Sequence, residues 1–234
     1  MLRVAVLQSN YIPWKGYFDL IHDVDVFVFY DDVQYTKNDW RNRNQIKTPA
    51  GPQWITIPVG ARLDRLICEV ELPDDRWQSK HWKSLSQSYS RAPHWKVVES
   101  LLRPAYLDRT WKSLSELNQF LIREIAAFLG LKTQFRDSRE FKLEGRRQDR
   151  LLALLIEMGT TKYLSGPSGR NYIEESAFTE HGIAVQFKDY PAYPEYEQLY
   201  PPFEHHVSIV DLLCMTGPKA PEYIWRNATE GGSA

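Results

Sequence analysis

Leu2-Arg-Val-Ala-Val-Leu7, Gln8-Ser-Asn-Tyr-Ile-Pro-Trp-Lys-Gly-Tyr-Phe-Asp-Leu-Ile21 and Asp25-Val-Phe-Val-Phe-Tyr30 are the segments whose reading decides the fold. The first and last are short apolar runs, the pattern of strands buried on both faces of a sheet. Between them a polar loop crowded with aromatics leads into a short amphipathic helix, so the three make a βαβ unit. Open α/β sheets bind ligands outside the carboxyl ends of their strands. Two polar loops leave those ends, Gln8 to Lys15 and Asp31 to Lys47, and the active site is expected there.

Composition narrows the possibilities. The chain has 234 residues, 43% hydrophobic and 25% charged, as expected of a globular protein with a sizeable core. A net charge of -1 gives no global attraction to nucleic acid or to an anionic membrane, although a local basic site remains open. No apolar run is long enough to span a bilayer, and the N-terminus lacks a signal-peptide pattern, so no membrane insertion is expected. Cys68 and Cys214 lie far apart in apolar contexts, which argues against a disulfide framework and for the cytoplasm. Eight Trp are unusual, and several fall among polar residues, as they would when lining a cleft.

Further along, Gln53 to Val59 alternates like a strand, and Leu66 to Leu72 is a second candidate. Residues 74–129 turn helical: Asp74 or Asp75 caps a helix through Tyr89, Ala92-Pro93 breaks it, and a second helix runs from about Trp111 to Leu129. The α/β pattern then resumes with strands at Thr133–Asp137, Thr161–Leu164 and Ile183–Phe187 and a helix at Arg147–Met158. Tyr190 to Phe203 reads as an ordered irregular arm. Val207 to Met215 is a helix, with Ser208 and Asp211 in capping-box spacing. The expectation is one α/β unit over 1–228, with 74–129 as a helical insertion and 229–234 as a frayed tail.

Several residues have the chemistry of a site. Gln8, Tyr11, Trp14 and Lys15 occupy the first loop, where Lys15 and the helix start at Gly16 suit an anion. Asp31-Asp32 ends the second strand, and adjacent carboxylates on extended chain diverge, so one of them faces the cleft. Asp32 is the choice as base, with Gln34 beside it. Trp40, Arg41, Arg43, Asn44 and Lys47 form the densest donor cluster, suited to a polyanion or a sugar. If this segment is extended, Arg41 and Arg43 share one face and Asn42 and Asn44 the other, and Arg43 is the choice for the cleft. Ser165 to Arg170 is a Gly/Ser loop able to cradle an anion. His81 is a second candidate base. Glu204-His205-His206 lacks the spacing of a metal site, and no metal is expected.

Gln8-x-x-Tyr-Ile-Pro-Trp-x-Gly-Tyr-Phe18, Tyr30-Asp-Asp-Val-Gln-Tyr-Thr-Lys37 and Arg41-Asn-Arg-Asn-x-Ile-Lys47 resemble the signature of WbqC-like proteins. So do Tyr163-Leu-Ser-Gly166, Tyr196-x-Gln198 and Val207-Ser-Ile-Val-Asp-Leu-Leu213. The resemblance spans nearly the whole chain. Ser9 stands where the family often has Pro, and Cys214-Met215 replaces a usual Phe-Asn. The resemblance implies a role in bacterial polysaccharide or natural-product biosynthesis, attaching glycine or a similar group to an amino sugar. The opening strand, loop, Gly-Tyr and helix are also similar in architecture to nucleotidylyltransferase folds, in which a His stands where this chain has Tyr17.

Together these readings give a mostly parallel, Rossmann-like sheet carrying an aminoacyl or acyl transferase. Asp32 or His81 serves as base, and Lys15, Arg43 or Asn44 stabilises the oxyanion. The expected acceptor is a small-molecule amine, and the expected donor is a thioester on an acyl-carrier protein, an aminoacyl-tRNA or an acyl phosphate. Two alternatives stand beside it. One is a nucleotidylyltransferase or ligase using ATP with magnesium, its phosphates held by Lys15, Ser165 and Arg170. The other is a noncatalytic carrier- or tRNA-binding module.

Overall fold

The computed structural model describes residues 1–190 and 192–225. The first unit is β1 (Arg3–Leu7), α1 (Lys15–His22) and β2 (Val26–Phe29). A long excursion follows: the hairpin β3 (Arg43–Thr48) and β4 (Gly51–Thr56), then α2 (Arg76–Tyr89), α3 (Trp95–Tyr106) and α4 (Leu114–Phe128). The chain returns through β5 (Gln134–Asp137), α5 (Arg147–Glu157), β6 (Lys162–Ser165), α6 (Glu175–Thr179) and β7 (Ala184–Phe187), and α7 (Ile209–Thr216) follows.

The main sheet has the order β5-β2-β1-β6-β7, and every pair is parallel. From β1 the chain moves outward to β2 and β5, then returns to the other side of β1 for β6 and β7. This reversal opens a crevice at the carboxyl ends of β1 and β6, the place where such sheets bind ligands.

Alternation along the strands divides the core into two layers. Ala5, Phe27 and Phe29 face one layer with Phe18, Ile21, Leu121 and Ile125 of α1 and α4. Val4, Val6, Val26 and Val28 face the other with Leu151, Leu154 and Phe178 of α5 and α6. Helices therefore cover both faces, which is why β1 and β2 carry no polar side. The result is a Rossmann-like α/β fold.

Several local expectations are corrected. Residues 74–129 hold three helices where two were expected, and α3 tolerates Pro104 because it lies in the last turn and removes a single internal hydrogen bond. Residues 66–72 form a 3₁₀ turn at Ile67–Glu69 flanked by isolated bridges, since their carbonyls and amides bond to loops instead of a neighbouring strand. Asp75 precedes α2 without a side-chain cap, while Asp74 accepts from the Arg76 amide at 3.0 Å. Ser208 does cap α7, but Asp211 turns inward and accepts from Tyr196 Oη and Gln198 Nε2 at 2.7 and 2.8 Å. The arm lies over α1, with Tyr193 Oη donating to Asp19 at 2.6 Å. The end at 228 and the tail at 229–234 lie outside the described residues. Among the described residues, no helix is long and apolar enough to cross a membrane.

Candidate functional site

The loop from Gln8 to Lys15 is pinned at nearly every residue. The Ser9 amide donates to Asp31 Oδ1 at 2.8 Å, and Tyr17 Oη donates to the Gln8 carbonyl at 2.9 Å. Asn44 Nδ2 donates to the carbonyls of Tyr11 and Ile12, at 3.1 and 2.8 Å. Ile12 sits at φ 35°, an unfavourable conformation for a β-branched residue. Such strain persists only where surrounding contacts fix it, and Asn44 supplies two of them.

A cavity of about 900 Å³ opens at the carboxyl ends of the central strands. Gln8 follows β1, Tyr30 follows β2, and Tyr163 belongs to β6; all three line it. Its outer wall is Arg146, Arg147, Gln148 and Asp149 at the start of α5, with Tyr172 and Glu174 beyond β6. Arg147 has φ 50°, a second left-handed non-glycine residue at the site. Two guanidinium groups beside a helix N-terminus suit an anionic ligand. Glu174 and Asp149 are carboxylates on the same wall, and neither is in an ion pair among the described residues.

A smaller pocket, about 370 Å³, is lined by Asn10, Pro13, Trp14, Trp40, Asn44 and His206. The Trp14 indole stacks on His206 at 6.1 Å and meets Tyr190 edge-on at 5.2 Å. Arg41 lines neither space but bonds to a residue of each. Its Nη2 donates to Gln8 Oε1 at 3.1 Å and its Nη1 donates to Asn10 Oδ1. One guanidinium thus holds a residue from each cavity, and its buried Nε has no hydrogen-bond partner among the described residues.

Of the expected residues, Gln8, Trp14, Trp40 and Arg41 meet here, and Asn44 both lines the smaller pocket and braces the loop. Arg43 turns outward, its guanidinium 4.3 Å from the Trp54 ring centre. Gln34 is exposed and bonds to the Leu63 and Arg65 carbonyls. Lys47 is 1% exposed and donates to the Pro202 carbonyl. Ser165 is buried on β6 against Gly169, whose added Cβ would fall 2.1 Å from Ser165 Oγ. Arg170 lies over the Phe187 ring at 4.5 Å.

The three expected catalytic groups are differently placed. Asp32 is held by Arg150 through two bonds, at 2.5 and 3.2 Å, and by Ser138 Oγ at 2.5 Å. Arg150 correspondingly has its pKa raised, mainly by hydrogen bonding to Asp32. Asp31 is fully buried and accepts from Ser9, Ser115 and Gln119. His81 is buried in α2, with Nδ1 2.8 Å from Tyr11 Oη and Nε2 3.2 Å from the Thr56 carbonyl. Burial lowers its pKa to about 4, and Tyr11 and Tyr106, whose hydroxyls are 2.5 Å apart, have theirs raised by the same cause. Tyr11 and His81 therefore belong to a core network and line neither cavity. Lys15 is 3% exposed, its amine 3.3 Å from His205 Nδ1 and about 5 Å from the Tyr193 ring. Burial lowers its pKa to about 8, against the opposing pull of Asp211 and Glu195.

The sequence reading missed Tyr30, Arg146, Arg147, Glu174, Asn10 and His206. The arginine pair was the available signal, because it follows a strand and opens a helix in an α/β pattern. The fold and crevice define a Rossmann-like α/β protein with a polar site at its switch point. The family described as the WbqC-like protein family matches residues 8–223, and the chain belongs to it. It is 45% identical over 226 residues to the uncharacterized protein Rv1507c of Mycobacterium tuberculosis, covering 96% of this chain and 98% of that one. No solved structure matches the chain.

Proposed function

We propose that the protein is a transferase that moves an activated acyl or aminoacyl group, glycyl-like, onto the amine of an amino sugar or another small metabolite. The observation that carries this reading is Arg41, held between Gln8 of the larger cavity and Asn10 of the smaller pocket. A two-substrate reaction needs two binding spaces that meet at a group able to stabilise charge.

The larger cavity takes the acceptor. Arg146, Arg147 and the start of α5 hold its anionic portion, and Glu174 receives the proton of its amine. The smaller pocket admits the acyl end of the donor, whose carbonyl then lies at the junction. As the amine attacks, the carbonyl carbon bonds to nitrogen, and Arg41 stabilises the oxyanion that develops. Collapse of that intermediate breaks the bond to the donor's leaving group, which departs with its electron pair and takes up a proton.

Asp32 fits this reaction better as the group that orients Arg150, whose guanidinium lies 5.3 Å from the Tyr30 ring centre, than as the base, because acting as a base requires breaking a two-point ion pair. The ATP-dependent reading has less support: Lys15 lies among the arm's aromatic rings, Arg170 lies on Phe187, and neither lines the larger cavity. Glucosamine 6-phosphate, as an amine carrying an anion, tests the acceptor site by thermal shift. It is expected to raise the melting temperature of the native protein and not that of Arg146→Ala. A magnesium-dependent shift with ATP, absent with the sugar phosphate, would favour nucleotidyl transfer instead.

A further inference from the structure

The outer face of the β3–β4 hairpin has features that the transfer chemistry leaves unused. Arg43 pairs with Thr56 and Gln45 with Trp54, so these four side chains share one face, while Asn44, Ile46 and Ile55 are buried on the other. Trp54 is 41% exposed and Trp40 43%, with ring centres 5.3 Å apart. The Arg43 guanidinium carbon lies 4.3 Å from the Trp54 ring centre; Arg43 bonds to the Asn38 carbonyl and is in no ion pair among the described residues. Two half-exposed indoles beside a guanidinium in no ion pair are an unusual surface for a protein that binds nothing there.

Charge adds to this. Residues 35–65 carry Lys37, Arg41, Arg43, Lys47, Arg62 and Arg65 against Asp39 and Asp64, within a chain of net charge -1. Lys47 and Arg41 turn inward, Arg62 pairs with Asp64 at 2.9 Å, and Arg65 lies over the Tyr35 ring and donates to the Val59 carbonyl, which leaves Lys37 and Arg43 for the outer face. Trp40 also walls the smaller pocket, so the aromatic face runs continuously into the site.

We propose that this face binds a single-stranded nucleic acid end. Its bases stack on Trp54 and Trp40, its phosphates meet Arg43 and Lys37, and its terminal nucleotide enters beside Trp14. Stacking tolerates any base because each presents a π face, and a guanidinium lying on an indole extends that platform. An acidic carrier protein would use the cations but has no need of the exposed rings. The inference deepens the transfer reading by naming the donor's carrier, and rests on that reading for the donor alone.

The test is quenching of tryptophan fluorescence by an eight-nucleotide single strand, as ribo- and deoxyribo-oligomers, with a duplex and an acidic acyl-carrier protein as comparisons. The single strand is expected to bind more tightly than the duplex. Trp54→Ala, checked as folded by its melting curve, should weaken binding about tenfold or more. Arg43→Gln should reduce the slope of log K against log salt by about 0.7, as for one lost phosphate contact. Preference for the ribo-oligomer would identify RNA through its 2′-hydroxyls, and equal binding of both would still support the proposal. Strand binding that is absent, or unchanged in both variants, overturns it, as does binding of the carrier protein alone. Transfer from a small synthetic thioester needs no strand, so its persistence in that case leaves the transfer reading standing.

Discussion

Arg41 Nη2 donates to Gln8 Oε1 at 3.1 Å, while the other arm of the same guanidinium reaches Asn10. An ammonium cannot reproduce this fork. Arg41→Lys is expected to lower the transfer rate about 10²-fold, as for loss of an oxyanion donor. Its stability should fall by only about 1 kcal/mol, because the hydrogen bonds lost are partly replaced. Arg43→Lys, on the outer face, should leave transfer from a small donor unchanged. Steady-state kinetics of the two variants make the comparison, and equal losses would contradict the inward role of Arg41.

Glu174 and Asp32 separate in the same way. Glu174→Gln should lose about 10²-fold in rate with stability within about 0.5 kcal/mol, as for a base on an exposed wall. Asp32→Asn weakens the bonds from Arg150 and Ser138 and should cost about 2 kcal/mol in urea unfolding. An Asp32→Asn variant that is stable but inactive, beside an active Glu174→Gln, would return the role of base to Asp32.

Gly16 is where a single methyl group tests the smaller pocket. A Cβ there would fall 2.3 Å from the Trp14 ring, which is already confined by Tyr190, Tyr193 and His206. Gly16→Ala should displace the indole, shift its fluorescence and cost about 1–3 kcal/mol from overpacking. A variant with native fluorescence and native stability would show that Trp14 yields freely.

His81 makes stability depend on pH. Burial lowers its folded pKa to about 4, below the unfolded value of about 6.5, so the unfolded chain binds the extra proton first. Its contribution is fully present above pH 6.5 and is lost as pH falls from there toward 4. Between pH 7 and 5 the loss amounts to about 2 kcal/mol. Urea unfolding of His81→Phe should lose less stability across that interval than the native protein. An equal loss would mean that His81 is solvated.

The sequence made the sheet legible because β1 and β2 are apolar on both faces and α4 repeats its leucines at helical spacing. It missed α3, which begins just after the Ala92-Pro93 break and buries Val98, Leu102 and Ala105 at helical spacing. In the site, Gln8 was legible as a polar residue ending a buried strand. Arg43 was preferred to Arg41 although an extended chain would give both the same face. Arg41 precedes β3 and turns inward to Gln8 and Asn10, whereas Arg43 is held on β3 opposite Thr56 of β4, with Trp54 diagonal to it. His81 and Tyr11 looked chemical because the sequence does not show that α2 turns His81 inward onto Tyr11 and that α3 brings Tyr106 against them. Arg146, Arg147 and Glu174 were missed because they converge only when β6 returns beside β1.

The most direct test is mass spectrometry of the acceptor after reaction of a glycyl thioester with glucosamine 6-phosphate, using the native protein and Arg41→Ala. The expected result is N-glycylated acceptor with the native protein and little or none with Arg41→Ala. No acylated product with the native protein from thioester, aminoacylated RNA or acyl phosphate donors, or equal yields from both proteins, would contradict the account.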